Sequence, residues 1–99
     1  MSQDINNQKK KILIENLTEN LPVLRAKLKI NQAELAEKIG VTRQTLTAIE
    51  SGKREMTWAT FVALTLLFMQ NETTKELLPV VNVYTDELKK FFSFSQDEG

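Results

Sequence analysis

The segment LAEKIGVTRQTL, residues 35–46, joins two short apolar-periodic runs at one glycine. A helix cannot run smoothly through this break. Gly40 stands just past the last periodic residue of the first run, where a left-handed residue closes a helix without a Cβ penalty. Thr42 follows as the N-cap of the next run. Upstream, Asn31-Gln32-Ala33-Glu34 reads as a capping box, so the first helix is expected over 32–39. The second is expected from Arg43 to Ser51-Gly52. Two helices of about eight residues joined by so short a turn must cross at a steep angle, with Leu35, Ile39, Val41, Leu46 and Ile49 between them. Ala36, at the crossing, is small enough to let the backbones approach.

The rest of the chain reads as helix too. Residues 6–18 form one candidate, with Ile12, Leu13 and Leu17 on its apolar side. Asn20 looks like an N-cap and Pro22 like a first-turn proline, which predicts a helix to about Lys29 bearing Leu21, Leu24 and Leu28. Whether these two segments join is open from the sequence. Thr57 caps a helix over 58–70, and eleven of the 14 residues from Met56 to Met69 are apolar, so this helix is either central to the core or shared with a partner. Thr73-Thr74-Lys75-Glu76 reads as a capping box opening a short helix limited by Pro79, and Thr85-Asp86-Glu87 begins a last helix to about Phe92. Only VVNVY, residues 80–84, has strand character, and it is too short for a sheet.

Composition narrows function. The 99 residues include no cysteine and no histidine, which removes disulfides, thiolate metal sites, the usual general base and the commonest metal ligand. Neither a catalytic nor a metal site is expected, nor a cofactor. Glu76, Asp86 and Glu87 match no ligand spacing. Trp58, Phe61, Phe68, Phe91, Phe92 and Phe94 at helical spacing read as core rather than as a base-stacking platform. Lys9, Lys10 and Lys11 precede too short an apolar run for a signal peptide, and the run 56–69 is too short to span a bilayer, so a cytoplasmic protein without membrane association is expected. Net charge is zero but unevenly spread. Residues 20–54 carry seven Lys/Arg against three Glu (+4), and residues 55–99 carry three against seven acids (−4). A basic middle suits a cationic face with one task.

QAELAEKIGVTRQTLTAIESGKR resembles the helix-turn-helix of the phage-repressor (Cro/Xre) family, with Leu24-Arg25 extending the likeness upstream. It covers residues 20 to about 70. The matching positions are Gln32, Leu35-Ala36, Gly40-Val41, Leu46 and Ile49, and Glu50-x-Gly52-Lys53. The resemblance implies an all-α fold: a compact five-helix helix-turn-helix domain with an N-terminal helical extension and a short C-terminal helical extension. The expected divisions are an extension at 1–19, the DNA-binding domain at 20–70, and an extension at 71–99 that is a candidate dimerisation element. It implies a transcriptional regulator, expected to be a repressor, that binds near-palindromic double-stranded DNA as a homodimer.

In such a pair the second helix puts its N-terminal end into the major groove. The outward positions there are Arg43, Gln44, Thr47 and Ala48, the expected base contacts. Arg suits guanine O6/N7, Gln suits adenine N6/N7, and small residues suit a thymine methyl. Gln32 resembles the family's backbone-clamping glutamine at a helix N-terminus. Thr45, Lys53 and Arg54 are the other expected backbone contacts. The resemblance implies a structural salt bridge between Arg25 and Glu50. A rival expectation is an antitoxin-like or other interaction module whose C-terminal extension binds a partner protein.

Overall fold

The computed structural model describes residues 5–94, which fold into six helices: α1 (Asn7–Lys27), α2 (Gln32–Ile39), α3 (Arg43–Glu50), α4 (Trp58–Phe68), α5 (Glu72–Val80) and α6 (Asp86–Phe92). The fold is all-α, as expected, with one helix fewer than the seven segments read from the sequence, because residues 6–18 and 20–29 join in α1. The division expected between residues 19 and 20 falls inside that helix.

Asn20 therefore caps nothing. Its amide Nδ2 donates to the Asn16 carbonyl at 2.8 Å, one turn back along the same helix. Pro22 sits inside α1, exposed, with no N–H for the carbonyl of Thr18. Such a proline costs about 3 kcal/mol. The helix continues because its buried stripe, Leu13, Ile14, Leu17, Leu21 and Leu24, runs through the break. Leu17 and Leu21 are fully buried and Leu24 nearly so, and each contributes about 1.5–3 kcal/mol. Three such leucines outweigh one proline. The true N-cap is Asn6, which accepts from the Lys9 amide at 2.8 Å.

Four other helix starts follow their sequence signals, that of α3 at Thr42 among them. Asn31 and Glu34 close the capping box at 2.8 and 3.0 Å, and Thr57 and Thr85 cap α4 and α6. α5 differs. Its N-cap is Asn71, whose side chain accepts from the Thr73 and Thr74 amides. Thr74 is fully buried instead, and its hydroxyl donates to the Phe68 carbonyl at 2.6 Å, satisfying the end of α4. Pro79 lies within α5, which ends one residue later at Val80. The strand-like VVNVY becomes the end of α5 and a turn, with Asn82 in the left-handed region (φ 61°) and Val83 buried.

α4 sits centrally: α1, α2 and α5 all pack against it, and α1 also meets α3 and α5. One core joins all six helices, from Leu13 and Leu17 through Leu35, Leu46, Phe61, Leu64 and Phe68 to Leu78 and Leu88. The two flanking segments belong to it. They also close on each other outside the core, where Lys9 pairs with Glu87 and the Lys10 ammonium lies 5.0 Å from the Trp58 ring and 5.9 Å from that of Phe91. The aromatics divide: Phe61 and Phe68 are fully buried and Trp58 and Phe91 half-buried, whereas Phe92 and Phe94 are exposed. Among the described residues no helix is long and apolar enough to cross a membrane.

Because Pro22 touches solvent and its ring supports nothing in the core, Pro22→Ala restores one helical hydrogen bond. It is expected to raise unfolding free energy by about 1–3 kcal/mol, measured as a higher urea midpoint at unchanged slope.

Candidate nucleic-acid interface

α2 ends on Gly40 at φ 82°. The Val41 amide donates to the Ala36 carbonyl at 3.0 Å and the Gly40 amide to that of Glu37 at 3.4 Å, the two bonds of a Schellman closure. No heavy atom lies within 4 Å of where a Cβ on Gly40 would stand, so backbone conformation, not space, requires the glycine. Thr42 then starts α3 by accepting from the Thr45 amide at 3.1 Å. α3 buries Leu46 and Ile49, which fixes its opposite side outward. Arg43, Gln44 and Thr47 are exposed on that side, and Ala48 is half-buried beside them.

Gln32, Arg43, Gln44, Thr47, Ala48 and Lys53 line one shallow concavity of about 480 Å³. Ser51 completes it, a residue the sequence reading missed although it continues the spacing 44, 47, 48, 51. A second hollow, of about 380 Å³, opens at the N-terminus of α2 between Arg25, Asn31, Gln32, Ala33 and Arg43. Arg43 thus stands between both, and Gln32 forms their shared wall.

Thr45 and Arg54 lie on another flank. Thr45 Oγ1 stands 3.0 Å from the Thr42 hydroxyl and accepts from Arg54 Nη1 at 3.4 Å. Lys53 and Arg54 leave the end of α3 on amide bonds to the Ala48 carbonyl, at 2.9 and 3.2 Å, after Gly52 at φ 81°. Their positions come from backbone, while their side chains stay exposed.

Beneath this surface Arg25 grips Glu50 with two hydrogen bonds, Nε to Oε2 at 2.9 Å and Nη2 to Oε1 at 3.2 Å. The fork geometry makes this a strong pair. The side chains are only 22% and 7% exposed. The hydrogen bond to Glu50 raises the affinity of Arg25 for its proton; burial opposes this, and attraction to the carboxylate adds to it. Gln32 joins the pair: Nε2 donates to Glu50 Oε1 at 2.8 Å, and Oε1 accepts from the Thr47 hydroxyl at 2.9 Å. Three helices, α1, α2 and α3, meet on one carboxylate.

Residues 24–64 match the model of a family described as Helix-turn-helix. No curated protein and no solved structure gives a match. With this match and the α2–turn–α3 geometry, the chain carries a helix-turn-helix domain similar to that of the phage-repressor (Cro/Xre) proteins. It is accordingly a DNA-binding helix-turn-helix regulator.

Arg25→Met leaves the largely buried Glu50 carboxylate with Gln32 alone. The expected loss is about 2–4 kcal/mol, a fall in Tm on the order of 10–20 °C by circular dichroism. An unchanged Tm would mean that the pair contributes nothing to the fold.

Proposed function

We propose that this protein is a sequence-specific transcriptional repressor of the cytoplasm that binds a near-palindromic double-stranded operator as a homodimer. α3 lies in the major groove, with Arg43, Gln44, Thr47 and Ala48 at base edges and Gln32, Thr45, Lys53 and Arg54 at phosphates. The observation that carries this reading is the single outward face of α3. Arg43 and Gln44 occupy the first turn of a helix anchored from behind by Leu46 and Ile49, and Gln32, Ser51 and Lys53 complete the same concavity.

A donor-only guanidinium fits guanine, and an amide with one donor and one acceptor fits adenine. In selection from a randomised duplex pool, the wild-type chain is expected to enrich a two-fold motif. Arg43→Ala and Gln44→Ala are each expected to lose about 1–3 kcal/mol of discrimination at a particular base pair. Lys53→Ala is expected to weaken all sequences alike and to lower the salt slope by about one. Weak, salt-sensitive binding with no enriched sequence overturns the reading.

Two copies are required because one short helix buries too little for tight operator binding, and half-sites would lie about 34 Å apart. The second copy has a surface to use. Leu66 is 64% exposed on α4 and, with Val62, Met69, Tyr84 and Phe92, lines an apolar groove of about 490 Å³. Thr65 lies in its wall, with a buried hydroxyl that has no hydrogen-bond partner among the described residues. From Trp58 to Gln70 there is no charged residue, and Lys75 is the one charged side chain in the lining of the groove. Leu66→Glu is expected to turn a sedimenting dimer into a monomer at unchanged helicity. A Leu66→Glu variant that remains dimeric excludes this face.

A second reading is favoured by the exposure of Phe92 (41%) and Phe94 (85%): the C-terminal segment docks a partner protein, as an antitoxin's does. A chain purified alone that is monomeric at every concentration supports it over the homodimer.

A further inference from the structure

The hydrogen bonds that run from Arg25 through Glu50 and Gln32 to Thr47 have a polarity that their chemistry forces. A carboxylate held in the fork of a guanidinium offers only acceptors. The part of Gln32 that stands 2.8 Å from Glu50 Oε1 must therefore be its NH2 group. This turns the Gln32 carbonyl oxygen to the other side, 2.9 Å from Thr47 Oγ1. A carbonyl cannot donate, so the threonine hydroxyl does. A hydroxyl has one proton, and this one is committed inward. What Thr47 offers on the exposed face of α3 is an oxygen with a free lone pair, and a methyl group.

Resting on the DNA-reading role proposed for α3, we infer that Thr47 reads its base as an acceptor only, and that Gln32 is the positioning residue that fixes this polarity. In the major groove only adenine N6 and cytosine N4 present donors; guanine and thymine present acceptors at O6, N7 and O4. A freely turning hydroxyl serves either kind and distinguishes little. One whose proton is held by Gln32 accepts from adenine or cytosine and meets guanine or thymine lone pair to lone pair. This complements Arg43, which can only donate. Glu50 and Arg25 act one step further back, since an oxygen that must accept at Glu50 is what orients the Gln32 amide. Gln32 thereby influences a base that it need not touch.

The test uses the full chain and the operator enriched by it, with all four bases placed in turn at each position and affinities measured by fluorescence anisotropy. Thr47→Val, nearly the same shape without the hydroxyl, identifies the base pair under Thr47 as the one whose preference it removes. Every base pair carries one such amino donor, so the donor itself is deleted, with purine in place of adenine or pyrimidin-2-one in place of cytosine, and its loss from the base that faces Thr47 is expected to weaken wild-type binding by about five- to tenfold. Gln32→Met releases the proton and is expected to bring that ratio close to one, with the preferences at the Arg43 and Gln44 positions kept. Any loss of a phosphate contact by Gln32 would weaken all operators equally and leave the ratio alone. Circular dichroism confirms that both variants are folded. The inference is overturned if deleting the amino group on neither strand at the Thr47-dependent position weakens binding, if no position depends on Thr47, or if Gln32→Met leaves the ratio intact. In each of those cases an enriched operator still exists, and the DNA-reading role survives; absence of any enriched sequence overturns both.

Discussion

The carboxylate of Glu50 is the point on which the geometry of the helix-turn-helix depends. It ends α3, yet its partners come from α1 through Arg25 and from α2 through Gln32. A largely buried anion is stable only while such donors surround it. The hydrophobic core could tolerate small rotations of α3 about its axis, because leucine and isoleucine contacts are not directional. A two-pronged ion pair with a third donor is directional. It fixes which residues of α3 face out, and so converts a packed helix into one whose exposed side chains have a defined aim. Burial of Leu46 and Ile49 holds the helix in place, and Glu50 sets its angle.

Local signals were legible in the sequence wherever a few adjacent residues settle the matter. Gly40 closes α2 because a left-handed turn is needed within three residues, and Asn31, Thr42, Thr57 and Thr85 cap because a side-chain oxygen reaches an amide two or three residues on. The reading failed where distant burial overrides a local preference. Asn20-Leu21-Pro22 has the form of a helix start, but Leu17 and Leu21 must share one core, and only a continuous helix places them there. At α5 two starts compete. Asn71 takes the cap, which leaves Thr74 to be buried against the end of α4; nothing in the spacing of Thr73 and Glu76 reveals that competition.

The surface follows the same division. That Arg43, Gln44, Thr47 and Ala48 share a face follows from helical spacing alone. That Gln32 reaches across to Thr47 and Glu50 does not, since contacts between helices depend on their crossing geometry. Ser51 was missed for a smaller reason: it stands at the helix end, where a serine reads as a stop signal before it reads as part of a face. The flanking segments are legible as helices, but their place is not settled by the sequence, because leucines that cover the domain's own core are indistinguishable there from those of a detachable amphipathic helix.

α1 is a single rod of 21 residues that holds Leu13 and Ile14 in the core near one end and Arg25 against Glu50 near the other. Each residue of a helix turns the next by about 100°. One residue added or removed between these points would therefore rotate either the leucines or the arginine out of place, and no turn lies between them to absorb the change. A change of length is absorbed only outside this stretch, for example in the turn that follows Lys27. α1 serves as a fixed ruler, and its count of residues is as much a part of the DNA-binding head as any side chain on α3.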